Sequence, residues 1–347
     1  CQYLKRRNMN NKFKQLINLG INGNKIIRLL ISTIKTHELM ETEYLNRIES
    51  YVSNNKFINS KKKSSYINYL EKNFFSILLL SIFKNHKIPK ESIVEYGIIL
   101  HSLRGMVTCT DNIIDNESKG AIFLNEISNH VLANNMLSII EQNILNDSIN
   151  RLTEDSSKKS LMLQGYTKAL YSVAIGESIR ELKDDIEAPE EIIENIHKKI
   201  GGELLGLAFI IPTINENNPK LEISKNGIYQ IGIALQMIDD ICDFQEDIEA
   251  KKKNYLLSKI FHNSSLSLKE VMELAFDKNF YNSTIYLNNY SEAIEEAIDT
   301  ALYGFKILEY SGYPVNRDQG KIILEFMFKI RGLAKAWENY KNQRRVG

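Results

Sequence analysis

Gln236-Met237-Ile238-Asp239-Asp240-Ile241-Cys242-Asp243-Phe244-Gln245-Glu246-Asp247 holds no helix breaker and follows an apolar run, Ile231, Ile233, Ala234 and Leu235. Helical periodicity puts Asp239, Asp243 and Asp247 at i, i+4 and i+8, on one stripe, with Asp240 and Glu246 on its flanks. Like charges at that spacing repel and weaken a helix by a few tenths of a kcal/mol per pair, so a positive partner is expected against the stripe. Hard divalent cations take oxygen ligands, and Mg²⁺ typically accepts one or two carboxylates together with substrate phosphates. A solvated acidic face is the plainer reading of any single cluster. Here a second cluster upstream weighs against it.

That second cluster is Thr110-Asp111-Asn112-Ile113-Ile114-Asp115-Asn116-Glu117, closing a pattern of helical period that runs from about Glu91 through Ile98, Ile99, Leu103, Met106 and Val107. Asp111 and Asp115 again stand at i, i+4. Two acidic pairs, each at the end of a long apolar helix and 128 residues apart (239 − 111), match the way helical bundles build interior metal sites from facing helices.

The 347 residues suffice for one large domain or two small ones. Five Pro, 17 Gly and few alternating runs predict a mostly helical chain. A net charge of +1 argues against a nucleic-acid or other polyanion partner for the whole chain. Cys1, Cys109 and Cys242 lack disulfide-framework or zinc spacing, which fits a reducing cytoplasm. No apolar run reaches the roughly 18 residues of a membrane span, and no signal peptide is readable.

Residues 1–63 carry thirteen Lys and Arg against four Asp and Glu, with Phe13, Ile17, Ile21, Ile26, Leu29, Leu30 and Ile34 at helical intervals. This basic N-terminal helical extension is read either as a surface helix or as a weak peripheral membrane anchor. Residues 64–347 are read as a single all-α domain. Within them the pattern predicts a buried helix over Tyr66–Phe83, a turn at His86–Lys90, and helices over Glu126–Ile149 and Leu161–Asp184. Further helices are predicted over Ser267–Asp277, Ser291–Tyr310 and Lys321–Lys341. Pro189 followed by Glu190 and Glu191 marks a helix start. Gly201-Gly202 costs about 2 kcal/mol of helix propensity, which suggests a kink, a backbone approach to a ligand, or close helix packing. Lys251-Lys252-Lys253 is either a solvated helix end or a lid over an anionic substrate.

The first acidic motif, Gly176-Glu177, Lys199-Ile200-Gly201 and Ala234-Leu235-Gln236 running into the second motif resemble, in order, the DDxxD, GQ, KT(G/A) and FQxxDDxxD motifs of the trans-polyprenyl synthases, a branch of the class I isoprenoid synthases. The resemblance covers about Tyr96 to Leu257. It implies a helical bundle around a central apolar cavity. It also implies three Mg²⁺ ions (Mn²⁺ as the substitute) held by Asp111, Asp115, Asp239, Asp243 and Asp247, and a prenyl diphosphate bound by them. Lys199 matches the diphosphate-binding lysine. Arg180 and a member of Lys251–Lys253, with Lys251 and Lys253 foremost, are the next donors, and Gln236 and Asp240 complete the polar contacts. Met106, Val107, Phe209, Phe74, Phe75 and Trp337 are either cavity lining or plain core. A homodimer is expected.

Two departures shape the expected reaction. Asn112 replaces the motif's second Asp, and Ser118-Lys119-Gly120 stands where the family carries paired arginines. The N-terminal basic motif of chain-elongating members is not recognisable before Glu91. Residues for ionising one allylic diphosphate are kept while those for isopentenyl diphosphate look lost, which points to a terpene synthase that cyclises or rearranges one substrate. Asp239, Asp243 and Asp247 also fall at the spacing of the terpene cyclases' second metal motif. Val107 and Met106, four and five residues before Asp111, are smaller or more pliable than the bulky aromatics that stop short chains, so C20 or longer is expected, with C15 as the alternative. The competing readings are a chain-elongating prenyltransferase using Arg104 or His101 for the second diphosphate, and a non-catalytic partner subunit.

Overall fold

The computed structural model describes residues 25–52, 69–70, 72–116, 119–120, 122–124 and 126–343; helices account for most of them and no strand occurs among them. The chain is all-α, as the periodicity predicts. It divides into two compact units, one running to Met162 with Ile214–Asn217 added, the other comprising Leu163–Thr213 and the chain from Asn218 onward.

In the first unit, α1 (Lys25–Tyr51), α2 (Phe74–Asn85), α3 (Lys90–Asp115) and α4 (His130–Leu152) pack on one another. Ile26, Leu30 and Ile34, three of the apolar positions in the basic segment, lie in this core with Met40 and Ile48. The described part of that segment therefore buries its apolar face in protein; Phe13, Ile17 and Ile21 fall outside the described residues. Tyr66, the expected start of α2, also lies outside them. Chain direction around α3 is set by local chemistry. Lys87 adopts a left-handed conformation (φ 60°) after α2, Pro89 precedes the first turn of α3, and Asn116 caps its end in the left-handed region (φ 52°, ψ 45°). The first acidic motif is thereby the last turn of α3. Arg47 crosses the interior to pair with Glu95 at 2.7 Å and Ser148 at 2.7 Å, giving a buried guanidinium both charge balance and donors' partners.

The second unit is built on α8 (Pro219–Cys242), which lies against α12 (Thr284–Tyr310), the long helix after the short α11 (Leu268–Leu274), and against a π-helical stretch, Ile193–Glu203. That stretch continues α6 (Pro189–Ile192), where Pro189 stands in the first turn as expected, and leads into α7 (Leu204–Glu216). Gly201 explains the glycine pair. A Cβ there would strike the Gly232 carbonyl of α8, and one on Gly232 would strike Gly201 in return. Close helix packing, rather than a kink, is what the glycines permit.

Three differences from the sequence pattern bear on the site. α5 (Ser156–Ser178) stops before Arg180 because that segment pairs elsewhere: Leu182 N–H donates to Lys251 C=O (2.7 Å) and Lys253 N–H to Arg180 C=O (2.6 Å), around an antiparallel bridge between Glu181 and Lys252. These backbone groups are satisfied by a neighbouring loop instead of a helical ladder. Lys321–Lys341 is not one helix but two, α13 (Arg317–Ile330) and α14 (Ala334–Gln343), separated by Gly332 at φ 81° with Leu333 N–H bonded back to Phe328 C=O. The acidic stretch is also interrupted: α8 ends at Cys242, Asp243 bends (φ −98°, ψ 13°), and α9 (Phe244–Glu249) follows. Among the described residues no helix is long and apolar enough to cross a membrane.

Candidate active site

The bend at Asp243 leaves the i to i−4 ladder intact, with Asp243 N–H on Asp239 C=O and Asp247 N–H on Asp243 C=O, both at 2.8 Å. The four acids of the second motif nevertheless have different surroundings. Asp240 is 2% exposed, and both its carboxylate oxygens are used. Oδ2 accepts from His197 Nε2 (2.9 Å) and Tyr255 N–H (2.8 Å), and Oδ1 accepts from Gln236 Nε2 (3.2 Å). Asp247 is buried too, accepting from Asn254 Nδ2 at 2.8 Å. Burial pushes the Asp247 carboxyl up to about 6, with Asp240 beside it acting in the same direction. Asp239 and Asp243 are the accessible pair. Asp239 is raised to about 6 by burial, against which Arg331 pulls; Asp243 is raised by partial burial and Glu246.

Three basic side chains converge here, of which sequence reasoning named one. Arg180, positioned by the break after α5, lies 3.6 Å from Asp247 and 3.8 Å from Asp240, underneath the stripe. Arg331, at the C-terminal end of α13, reaches Asp239 with both terminal nitrogens, at 3.0 and 3.3 Å. His197, fully buried on the π-helical stretch, holds Asp240. No local pattern marks Arg331, which lies 92 residues from Asp239 in sequence. Asn254 was detectable, since Asn before the apolar Tyr255-Leu256-Leu257 is an N-cap signature. Its Oδ1 caps α10 (Tyr255–His262) through Leu256 N–H at 2.9 Å, while its amide bridges Asp247 and the Asp240 carbonyl (2.7 Å).

Other expected donors are placed as follows. Lys199 is half-buried on the π-helical stretch, a geometry common at functional sites, and packs over Gly176, where a Cβ would come within 2.8 Å of the Lys199 Cβ. Glycine at 176 is what lets that lysine approach α5. Lys253 is tied to Glu187, so it does not cover the acids. Lys251 is exposed in a left-handed turn (φ 52°) beside a surface groove with Lys183 and Phe276. Gln236 and Asp240, expected at the substrate, spend their polar atoms on each other and on His197; they support the stripe. Phe209 and Trp337 are core, the latter stacked on Tyr340 at 5.6 Å.

In the first unit Asp111 and Asp115 are exposed at the end of α3, while Asn112 between them is buried. Asn112 Nδ2 donates to Lys119 C=O (2.8 Å) and to Asn134 Oδ1 (3.1 Å), and its Oδ1 accepts from Lys119 N–H (2.9 Å). An aspartate could not donate either bond, which is the physical reason for the departure from Asp-Asp. Met106 is buried and Val107 half-buried one turn earlier. His101 does not suit a diphosphate. Burial and Arg104 depress its ring to about 4, leaving it neutral, with the His37 and Tyr44 rings edge-on at 5.4 and 5.3 Å.

The donor set fits a hard divalent cation in the manner of Mg²⁺. Asp239 and Asp243 offer oxygens only, and Asp239 Oδ1 receives no aligned hydrogen bond, its one neighbour of opposite charge being Arg331 Nη1 at 3.0 Å. Among the described residues no three His, Cys, Asp or Glu side chains converge as a ready-made metal cage, so the remaining ligands would come from substrate and water.

No family model matches the chain, and no curated protein matches it. Solved structures do. Geranylgeranyl pyrophosphate synthetase from Pyrococcus horikoshii Ot3 superposes with a TM-score of 0.59 at 15% identity, covering 87% of this chain and 98% of that one. Polyprenyl synthase from Caulobacter crescentus CB15, complexed with calcium and isoprenyl diphosphate, gives 0.58 at 12% identity over 90% and 98%. Heptaprenyl diphosphate synthase from Staphylococcus aureus gives 0.56 at 13% identity over 86% and 98%. The fold is that of the trans-polyprenyl synthases.

Proposed function

We propose, for a chain with the trans-polyprenyl synthase fold, that it is a divalent-cation-dependent prenyltransferase that ionises an allylic prenyl diphosphate and joins the cation to isopentenyl diphosphate. The observation that carries the ionisation step is the accessible pair Asp239 and Asp243 beside the buried Asp240 and Asp247, which Arg180 holds. The elongating activity named for the Pyrococcus, Caulobacter and Staphylococcus proteins supports condensation over the one-substrate cyclisation expected from sequence.

When bound, Mg²⁺ or Mn²⁺ neutralises the leaving diphosphate as a Lewis acid. Asp239 and Asp243 would hold a cation in the second unit, and Asp111 and Asp115 are the candidate ligands of the first motif in the first unit. Three ions is the number the resemblance implies. Lys199 donates to diphosphate oxygens, and Arg180 braces Asp247 and Asp240 so that the stripe keeps its geometry. Met106 and Val107 face the growing chain, which favours C20 or longer. A homodimer is supported by the exposed apolar positions Val131, Leu132, Met136 and Ile139 of α4. The free thiols of Cys109 and Cys242 support a cytoplasmic site of action.

One observation favours a second reading. No arginine follows Asp115 in the first motif's loop, so a cyclase acting on a single diphosphate keeps its place as the rival. Incubation with Mg²⁺ and C10, C15, C20 or C25 allylic diphosphates, each with and without isopentenyl diphosphate, separates them. Longer prenyl diphosphates formed only with isopentenyl diphosphate support the proposal. Hydrocarbon or alcohol with released diphosphate from one substrate supports the cyclase, and absence of turnover supports a partner subunit.

A further inference from the structure

We propose that Arg331 is a cation-exchangeable latch on the second acidic motif: it neutralises Asp239 when no cation is bound and is released to diphosphate oxygens when a divalent cation takes Asp239. The inference rests on the metal reading of Asp239 given above and deepens it. Its basis is geometric. Both terminal nitrogens of Arg331 lie against Asp239, Nη1 3.0 Å from Oδ1 as an ion pair and Nη2 donating to Oδ2 at 3.3 Å, and a guanidinium binds carboxylate and phosphate alike. A cation that uses Asp239 must therefore compete with that guanidinium. Arg180, the other arginine at the stripe, is held by Glu177, Asp240 and Asp247 and its side chain is only 15% exposed, so it is a fixed brace. The Arg331 side chain is 45% exposed and makes its ion pair with Asp239 alone among the described acids. Its backbone is fixed independently: Arg331 N–H bonds to Met327 C=O, and the Gly332 turn, with Leu333 N–H on Phe328 C=O, ends α13 there. The guanidinium can consequently move by side-chain rotation while its anchor stays in place. A long, flexible, half-exposed cation on a firm anchor is the kind of group that can exchange one anionic partner for another.

The prediction has two effects of opposite sign. In Arg331→Gln, affinity for Mn²⁺ alone, read by electron paramagnetic resonance of the free ion, should rise roughly two- to fivefold, the size expected for losing a half-exposed ion pair. Affinity for inorganic diphosphate at saturating Mn²⁺, read by calorimetry, should fall about tenfold or more, because charge-assisted bonds are lost. Arg331→Lys keeps the charge without the fork and should fall between. Lys335→Gln, an exposed lysine four residues on, controls for the general field. A gain in Mn²⁺ affinity in Lys335→Gln equal to that in Arg331→Gln, or unchanged diphosphate affinity in Arg331→Gln, overturns the latch while the metal reading stands. No Mn²⁺ binding by the unaltered protein overturns both.

Discussion

The two acidic motifs have the same spacing and opposite surroundings. At the end of α3, Asp111 and Asp115 are exposed and the residue between them, Asn112, is turned inward to clamp its own loop. At the end of α8, the inward-turned residue is itself an acid, Asp240, and it anchors His197, Gln236 and the start of α10. Identical i, i+4 patterns thus divide into an outer, accessible pair and an inner residue for architecture. The inner residue differs because what lies beneath it differs: a loop carbonyl in the first case calls for an amide donor, a histidine and a backbone amide in the second call for a carboxylate.

The largest effect tests what both outer pairs share. Excess chelator should abolish turnover of allylic diphosphate, and full activity in EDTA would remove the metal from both motifs. Next comes the inner acid. Asp240→Ala should lower unfolding stability by about 3–5 kcal/mol, since it strands a buried histidine and leaves Arg180 less balanced. Asp111→Ala on the exposed turn should change stability by no more than about 0.5 kcal/mol. Urea denaturation of the two variants side by side breaks the comparison if they unfold alike.

Asp239→Ala or Asp243→Ala should retain the fold and lose about two orders of magnitude in rate, roughly the contribution of one transition-state charge contact. A variant with unaltered kcat would take that residue out of the site.

Glu141 sharpens the contrast between a paired and an unpaired buried acid. It is 1% exposed on α4 and sits against Gly105 of α3, and it accepts a 2.5 Å bond from the Tyr44 hydroxyl instead of an ion pair. Burial raises its pKa to about 7 from 4.5. The folded pKa is the higher one, so its contribution to stability is complete below pH 4.5 and disappears as pH rises through 7. His37 and His101, lowered by burial to about 3 and 4, act oppositely and withdraw stability as pH falls below 6.5. Glu141→Gln should remove roughly 2 kcal/mol of the decline between pH 5 and 8, seen as a flatter profile of midpoint against pH. An unchanged slope would mean that the carboxyl ionises without penalty.

A last comparison within the first motif is Asn112→Asp. Restoring the family's aspartate should destabilise the protein by about 1–3 kcal/mol, because the Lys119 carbonyl and Asn134 lose their donor. A stable variant with raised activity would show that Asn112 is a weakened ligand position and not a clamp.

Helical period, the placement of two acid pairs at helix ends, and Pro189 at a helix start were legible in the sequence because each depends on residues within a few positions of one another. Local pattern determined the all-α fold and the outer acids on that basis. It could not distinguish Asp240 from Asp239, since adjacent carboxylates differ only in which way the helix faces its neighbours. Arg180 left its predicted helix because Lys251 and Lys253 offered its segment backbone partners from a distant loop. Arg331 met Asp239 only because Gly332 ends α13 beside α8. Packing between elements remote in sequence decided which charged groups support the site and which are left to meet a ligand, because burial and pairing are properties of neighbours that no short stretch of chain contains.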